Sequence, residues 1–280
     1  MQKLARTLFP LLLAISSLAC MAAAPDVRSR SVFVFDRADG RELFAREADQ
    51  PVPIASITKL MTAMVVLDAR QPLDERLKIS REDRIRGRGA ASRIPFGATL
   101  TRADLLRLAL MSSENRAAHV LGASYPGGEA AFVRAMNSKA AQLGMNRARF
   151  VDPSGLSGGN VASARDVSRL VMAASQYPQI REYSTTERHV VTLGRRQLEF
   201  RNTDSLVHDD AWDVAVQKTG YLTEAGKCLA LQARILGRDV VIVLLNSWGK
   251  YTRVADARRI RKWMESRGSG AALGAARAGG

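Results

Sequence analysis

Three short segments of the chain contain the residue types that acyl transfer needs. They are Ser56-Ile57-Thr58-Lys59, Ser113-Glu114-Asn115 and Lys218-Thr219-Gly220. A serine hydroxyl is a weak nucleophile until a neighbouring base removes its proton. If Ser56 opens a helix, Lys59 lies one turn later on the same face and can be that base. A lysine does this only when burial and nearby positive charge lower its pKa.

The second segment supplies groups that can assist such a pair. Ser113 can relay a proton between Lys59 and a leaving amine, and Asn115 can hold a substrate amide. Glu114 is either a simple surface carboxylate or a residue that affects specificity. The segment is therefore a candidate second wall of a catalytic cleft.

The third segment lies inside a predicted strand. Lys218 and Thr219 can bind a carboxylate, and Gly220 lets a substrate backbone approach closely. The backbone amides of Ser56 and Tyr221 are candidate donors to a developing oxyanion. We therefore expect Ser56, Lys59 and Ser113 to be catalytic. The expected substrate-binding residues are Asn115, Lys218, Thr219, Gly220 and Tyr221.

The Ser-x-x-Lys pattern is weak evidence by itself. A second copy, Ser247-Trp248-Gly249-Lys250, follows a predicted strand and has no partner motifs downstream. We interpret it as a coincidence. Only the three segments together, in this order, make a specific signal for a Ser–Lys mechanism.

Other reactive residue types do not form a comparable pattern. His119, His189 and His208 lack the spacing of zinc ligands or of a catalytic triad, so we predict no metal and no cofactor. We expect His119 to pack in the fold. Cys228 lies in an apolar strand and is predicted to be buried rather than nucleophilic.

The hydrophobic periodicity predicts an α/β fold in which a mixed antiparallel sheet is flanked by helices. Ser31–Asp36 and Glu42–Ala45 form a predicted hairpin, and residues 54–69 form a buried helix. Further helices are predicted at residues 102–110 and 164–171, with Thr101 and Ser163 as their caps, and at residues 129–143 and 253–266. The remaining strands are predicted at residues 189–193, 197–200, 214–221, 228–236 and 240–246. The sheet is thus expected to combine strands from both chain ends around an inserted helical region.

The two ends of the chain differ from the middle. Lys3 and Arg6 precede an apolar run and three alanines, which is typical of a secretory signal peptide over residues 1–24. We expect export to the periplasm with no transmembrane anchor after cleavage, and no lipid anchor at Cys20. Residues 25–266 are predicted to form one catalytic domain. The Gly/Ala-rich residues 267–280 are predicted to be a disordered tail.

The chain has 280 residues and a formal net charge of +15. The arginines are scattered, aromatic residues make up only 6%, and no recognition motif is present, so we do not expect nucleic-acid binding. Either the basic surface attracts anionic polymers of the cell envelope, or it is a solvated surface with no partner.

The three segments resemble those of the low-molecular-mass penicillin-binding proteins, the serine D-Ala-D-Ala carboxypeptidase family, over roughly residues 30–265. Residues 150–156, 164–166 and 224–229 resemble further family segments. The resemblance implies a β-lactamase/DD-peptidase-like fold, with Ser56 acylated, Lys59 as general base and Ser113 as proton relay. It also implies peptidoglycan as substrate and β-lactams as covalent inhibitors.

Within the family, the sequence is similar to the penicillin-binding protein 7 type of D-alanyl-D-alanine endopeptidases. Many carboxypeptidases have glycine where this chain has Glu114, and they often carry an extra β-domain and an amphipathic C-terminal helix that we do not expect here. The endopeptidase is therefore the preferred prediction, with the carboxypeptidase as the alternative. A β-lactamase is less favoured because no Glu-x-x-Leu-Asn-like segment lies between Ser113 and Lys218. A catalytically silent wall-binding protein is disfavoured because every reactive position is intact.

Overall fold

The computed structural model describes residues 24–85 and 91–278. The strands are β1 (Ser31–Asp36), β2 (Arg41–Arg46), β3 (Val52–Pro53), β4 (Arg76–Lys78), β5 (Thr99–Thr101), β6 (Val161–Ala162), β7 (Arg188–Leu193), β8 (Arg196–Arg201), β9 (Asp213–Leu222), β10 (Gly226–Ile235) and β11 (Arg238–Ser247). The helices are α1 (Thr58–Asp68), α2 (Arg102–Met111), α3 (Asn115–Ala123), α4 (Gly128–Gln142), α5 (Ala164–Ala174), α6 (Pro178–Thr185) and α7 (Thr252–Ala278). Residues 1–23 of the predicted signal peptide lie outside the described residues.

The central sheet has five strands in the order β2-β1-β11-β10-β9, and every neighbouring pair is antiparallel. The prediction that both chain ends contribute strands is confirmed, since β1 pairs with β11 along its whole length. Strand β9 carries Lys218, Thr219 and Gly220 and is an edge strand of this sheet. The residues of the third segment therefore lie on a strand that has a neighbouring strand of the five-stranded sheet on one side only.

Helices cover both faces of the sheet. In β11, Val241, Val243 and Leu245 belong to the core shared with α1 and α5, whereas Ile242 and Leu244 face α7. Successive side chains of a strand point to opposite faces, so a strand covered on both faces needs an almost continuous apolar run. This explains why β11 lacks the polar alternation of a half-exposed strand.

Two of the predicted strands form a separate element. β7 and β8 pair only with each other and do not join the five-stranded sheet. Sequence periodicity predicts that a segment is a strand, but it does not predict which strand it pairs with, because pairing depends on which elements meet in three dimensions. Helices α3 and α6 were not predicted, since their short sequences lie next to loops rich in Ser, Gly and Pro.

The predicted helix starts at Thr101 and Ser163 are confirmed. The Thr101 side chain accepts a hydrogen bond from the Asp104 amide, and the Ser163 side chain accepts one from the Asp166 amide. These bonds satisfy backbone donors that have no partner within the helix. Thr101 fixes the start of the helix that leads to Ser113.

The final helix is longer than the sequence predicted. It continues through Ala278, whereas the predicted helix ends at Ser266 and a disordered tail is predicted from residue 267. Alanine has the highest intrinsic helix propensity, and the Ala-rich composition of this segment favours helix despite its glycines. In the part of the chain that is described, no helix combines the length and apolar character needed to cross a membrane.

Candidate active site

The Ser56 hydroxyl and the Lys59 amine meet at the start of helix α1. Ser56 lies in a short 3-10 turn, Ala55–Ile57, and α1 begins immediately after it at Thr58. The two side-chain atoms, Ser56 Oγ and Lys59 Nζ, are 2.8 Å apart. Lys59 Nζ also lies 2.7 Å from Asn115 Oδ1. The first and second predicted segments therefore meet in one hydrogen-bonded group.

Burial changes the protonation of this lysine. Lys59 is fully buried, and burial lowers its pKa to about 7, although the Asp152 and Glu114 carboxylates act in the opposite direction. A neutral amine donates two hydrogen bonds and accepts one. Lys59 can then donate to Asn115 Oδ1 and Ser154 O and accept the proton of the Ser56 hydroxyl. The geometry is that of a nucleophile paired with its base.

A tight loop holds the second acceptor of the lysine in place. Asp152 Oδ1 accepts hydrogen bonds from the backbone amides of Ser154 and Gly155, and Oδ2 accepts one from the Ser157 amide. The Ser154 carbonyl oxygen lies 2.5 Å from Lys59 Nζ. The Asp152 carboxylate thus orders its own loop, and the loop places the Ser154 carbonyl oxygen next to the Lys59 amine.

Strand β9 forms the other wall of the site. Gly220 packs against the start of α1, where a Cβ on Gly220 would lie 3.2 Å from the Ser56 amide nitrogen. Lys218 is fully buried and donates to the Thr219 carbonyl oxygen at 2.9 Å. Burial holds the pKa of Lys218 well below its usual value, and the positive charge of Lys59 lowers it further. A substrate carboxylate arriving there would restore the charge of Lys218.

The Ser113 segment links helices α2 and α3. Ser113 has a φ of 59°, a left-handed conformation that is uncommon for a residue other than glycine and recurs at functional sites. Ser113 and Asn115 line one cavity of about 550 Å³. Glu114 is buried and its carboxylate caps α3 by accepting from the Ala117 amide at 2.8 Å. It is therefore neither a free surface carboxylate nor an obvious substrate ligand.

Two charged residues beside Lys218 were not predicted. Arg253, near the start of α7, donates from Nη1 to the Gly220 carbonyl oxygen at 3.1 Å. Asp204 is buried, burial raises its pKa, and its charge acts on Lys218. A cation in the first turn of a helix opposes the helix dipole, which was a usable sequence signal for Arg253.

The predicted site residues differ in how directly the structure connects them. Ser56, Lys59 and Asn115 are joined by hydrogen bonds, and Gly220 packs beside the Ser56 amide. The Tyr221 side chain is 60% exposed, with Lys227 Nζ 4.5 Å from the centre of its ring. The catalytic and binding roles of these residues, including that of the Tyr221 backbone amide, remain predictions.

The second Ser-x-x-Lys pattern has no such arrangement. Ser247 is buried and its hydroxyl lies 2.6 Å from the hydroxyl of Ser29, whereas Lys250 Nζ lies 5.1 Å from the ring centre of Tyr251. Ser247 ends strand β11, so no helix places a lysine over it. This geometry agrees with the interpretation of the pattern as a coincidence.

The histidines and the cysteine lie outside this group. His119 is half-buried, and its ring nitrogens face Glu129 at 3.2 Å and Asp83 at 3.6 Å, carboxylates that raise its pKa. Cys228 is fully buried, which confirms the prediction, and burial raises its pKa to about 11. Among the described residues, no group of three or more His, Cys, Asp and Glu side chains could hold a metal ion.

Comparison with known proteins agrees with this geometry. The chain is 45% identical over 272 residues to a D-alanyl-D-alanine endopeptidase of Pseudomonas aeruginosa, covering 93% of this chain and 88% of the relative. It is also 45% identical over 259 residues to a D-alanyl-D-alanine endopeptidase of Escherichia coli, covering 92% of this chain and 84% of the relative.

Solved structures give the same answer. The fold matches a D-alanyl-D-alanine carboxypeptidase from Mycobacterium tuberculosis with a TM-score of 0.80 and 26% identity, over 89% of this chain and 95% of that one. It matches the Streptomyces K15 DD-transpeptidase with a TM-score of 0.80 and 25% identity, over 86% of this chain and 98% of that one.

The model of the D-alanyl-D-alanine carboxypeptidase family matches residues 19–249. With its Ser56–Lys59 pair, the chain therefore belongs to the D-alanyl-D-alanine carboxypeptidase family, peptidase family S11, of serine DD-peptidases.

Proposed function

We propose that this protein opens D-alanyl cross-links of peptidoglycan as a DD-endopeptidase, with Ser56 as the acylated nucleophile. The observation that supports this most directly is the Lys59 amine, which is buried and lies 2.8 Å from Ser56 Oγ and 2.7 Å from Asn115 Oδ1. A base with a pKa of about 7 is half neutral near neutral pH. The nucleophile can therefore be activated without a histidine.

In the first half of the reaction Lys59 removes the proton of Ser56, and Ser56 Oγ attacks the carbonyl carbon of the D-alanyl residue. The backbone amides of Ser56 and Tyr221 would stabilise the resulting oxyanion. Gly220 supports this assignment because it brings β9 against the Ser56 amide without an intervening side chain.

In the second half the C–N bond breaks and the acyl group stays on Ser56. The departing nitrogen takes up the proton that Lys59 holds, relayed by the Ser113 hydroxyl, and leaves as an amine. A water molecule then attacks the ester carbonyl and gives one proton to the neutral lysine, which passes it to Ser56 Oγ as the ester C–O bond breaks. The product is a D-alanyl carboxylate, and Ser56 is regenerated as the free hydroxyl.

The cross-link, rather than a terminal D-alanine, is the preferred substrate. The two relatives at 45% identity are named D-alanyl-D-alanine endopeptidases, and a relative named as a carboxypeptidase, from Bacillus subtilis, is 28% identical. Glu114, where many carboxypeptidases have glycine, points the same way. Carboxypeptidase activity is the alternative that the experiment below separates.

A β-lactamase would need a further base to hydrolyse its acyl-enzyme. The two carboxylates that act on Lys59 already have structural roles: Asp152 accepts backbone hydrogen bonds within its own loop, and Glu114 caps α3. We therefore expect penicillin to acylate Ser56 and to remain attached.

Export fits this function. The substrate lies outside the cytoplasm, and residues 1–24 have the composition of a secretory signal peptide, so we infer a periplasmic location in which the mature enzyme starts near Pro25. Without Lys3 and Arg6 of the signal peptide the mature chain would keep a formal charge of +13 (40 − 27), which would favour retention near anionic wall polymers.

The test uses the mature protein with purified sacculi and labelled penicillin. Mass spectrometry should detect new uncross-linked monomers from the parent protein and none from Ser56→Ala. Ser247→Ala, which changes the other Ser-x-x-Lys serine, should retain both activity and label. Loss of a single alanine without new monomers would assign the carboxypeptidase alternative. Digestion by Ser56→Ala at the parental rate would refute the mechanism.

A further inference from the structure

A cavity of about 550 Å³ adjoins the candidate site on the side of Ser113. Besides residues 112–115, its wall contains Ala91, Arg93, Glu199, Phe200 and Arg201. Pockets of this size accommodate ligands much larger than alanine. The cavity is therefore too large to be explained by a terminal D-alanine.

The wall of the cavity also carries two exposed arginines, and each of them contacts Glu199. Arg93 lies over the Phe200 ring, with Cζ 4.7 Å from the ring centre, and donates to the Glu199 carbonyl oxygen at 2.8 Å. Arg201 donates from Nε to the Glu199 carboxylate at 2.7 Å. Each of these bonds uses one N–H group of a guanidinium, which has five. Both side chains can still bind a carboxylate through the remaining donors.

Two contacts connect the cavity to the leaving-group side of the cleft. Ser113, the proposed proton relay to the leaving amine, lines the cavity itself. Thr203, two residues after Arg201, has its hydroxyl 2.6 Å from the Thr219 hydroxyl, which belongs to the predicted carboxylate-binding segment. The strand that carries Arg201 therefore leads directly to that segment.

We infer that this cavity binds the leaving stem peptide of a cross-link, and that Arg93 and Arg201 recognise a carboxylate on its diamino acid. This inference rests on the proposed endopeptidase function and names the part of the substrate that confers it. The product amine leaves as an ammonium group next to a carboxylate, so it presents both signs of charge. The cavity wall also carries both signs of charge, because Glu199 contacts both arginines.

The inference predicts selectivity for the leaving group. The double variant Arg93→Ala/Arg201→Ala should lower kcat/KM on a purified cross-linked dimer about tenfold, since the exposed arginines act on a partly solvated carboxylate. Release of D-alanine from a pentapeptide monomer with the same donor stem, and acylation by penicillin, should change less than about twofold. Arg196→Ala is the matched control, because Arg196 is an exposed arginine on the same strand but outside the cavity.

A change in the substrate gives a readout that loss of folding cannot imitate. The parent protein should cleave a dimer more slowly when the carboxylate of the leaving diamino acid is amidated. The double variant should lose most of this preference, and the part that remains would come from Lys218 and Thr219, which can also bind a carboxylate. In the double variant, the rate of dimer cleavage should also depend less on salt concentration than in the parent protein.

The outcomes separate this inference from the proposed function. If the parent protein cleaves no dimer, the endopeptidase function itself is wrong. If the parent cleaves dimers and the double variant retains its preference for the free carboxylate, the arginines do not bind it. An equal loss on dimer and monomer would assign the cavity to the donor stem and would also overturn the inference.

Discussion

The amine of Lys59 lies 2.5 Å from the backbone carbonyl oxygen of Ser154, which is 95 positions further along the chain. Together with Asn115 Oδ1 this acceptor holds two of the three hydrogen bonds of the amine, and the third joins it to Ser56 Oγ. A backbone acceptor adds no charge, and the lysine can therefore become neutral at a modest cost. The loop around Ser154 thus helps to make Lys59 a base.

The first prediction concerns pH. Acylation of Ser56 needs the neutral form of Lys59, whose pKa is about 7, so the rate should rise with pH through that value and level off above it. Stopped-flow labelling with fluorescent penicillin measures this profile directly. Because the Glu114 carboxylate raises the pKa of Lys59, Glu114→Gln should move the midpoint to lower pH. A midpoint that moves to higher pH, or a rate independent of pH between about 5 and 8, would contradict the assignment.

The second prediction concerns the loop that holds Lys59. Gly155 has a φ of +79°, and a Cβ there would overlap the carbonyl oxygen of Ala55, next to the nucleophile. Gly155→Ala should therefore displace the start of α1 and lower the acylation rate at least about tenfold, with a loss of about 1–3 kcal/mol in the free energy of unfolding. Gly158→Ala, in the same loop but with nothing within 4 Å and no positive φ, should behave as the parent. Equal effects of the two changes would rule out this role for Gly155.

The third prediction concerns Arg253. Arg253→Met removes the donor to the Gly220 carbonyl oxygen and one positive charge beside Lys218, and both changes should weaken the binding of a substrate carboxylate. We expect KM for a D-alanyl substrate to rise about fivefold or more while the melting temperature changes little. Arg258→Met is the control, since Arg258 is an exposed residue of the same helix paired with Asp209. Steady-state kinetics with an unchanged KM for Arg253→Met would assign the arginine to packing alone.

The fourth prediction concerns Cys228. The thiol is fully buried and its pKa is raised to about 11, so the reactive thiolate is scarce as well as inaccessible. A protein expressed from Pro25, which lacks Cys20, should resist iodoacetamide at neutral pH in its native state and react fully after denaturation. Mass spectrometry counts the adducts. Rapid native modification would mean that strand β10 opens far more often than its packing suggests.

The sequence determined the chemical groups and most of the elements. Ser56 and Lys59 are three residues apart at a helix start, so local geometry alone brought them together. The alternation of β1 and the apolar runs of β10 and β11 were sufficient to predict strands, and the residues at Thr101 and Ser163 were sufficient to predict helix starts. These features depend on neighbours within about one turn or one hairpin, which a sequence pattern represents directly.

Only the tertiary structure decided what surrounds the pair. The low pKa of Lys59 results from burial, and the two distant segments that contact its amine, at Asn115 and Ser154, have no fixed spacing from it in the sequence. The same holds for Arg253, which reaches Gly220 from the last helix, and for Glu114, whose capping role depends on where α3 begins. The packing of the sheet and the helices brings distant segments together, and the electrostatic interactions of their side chains depend on the resulting distances.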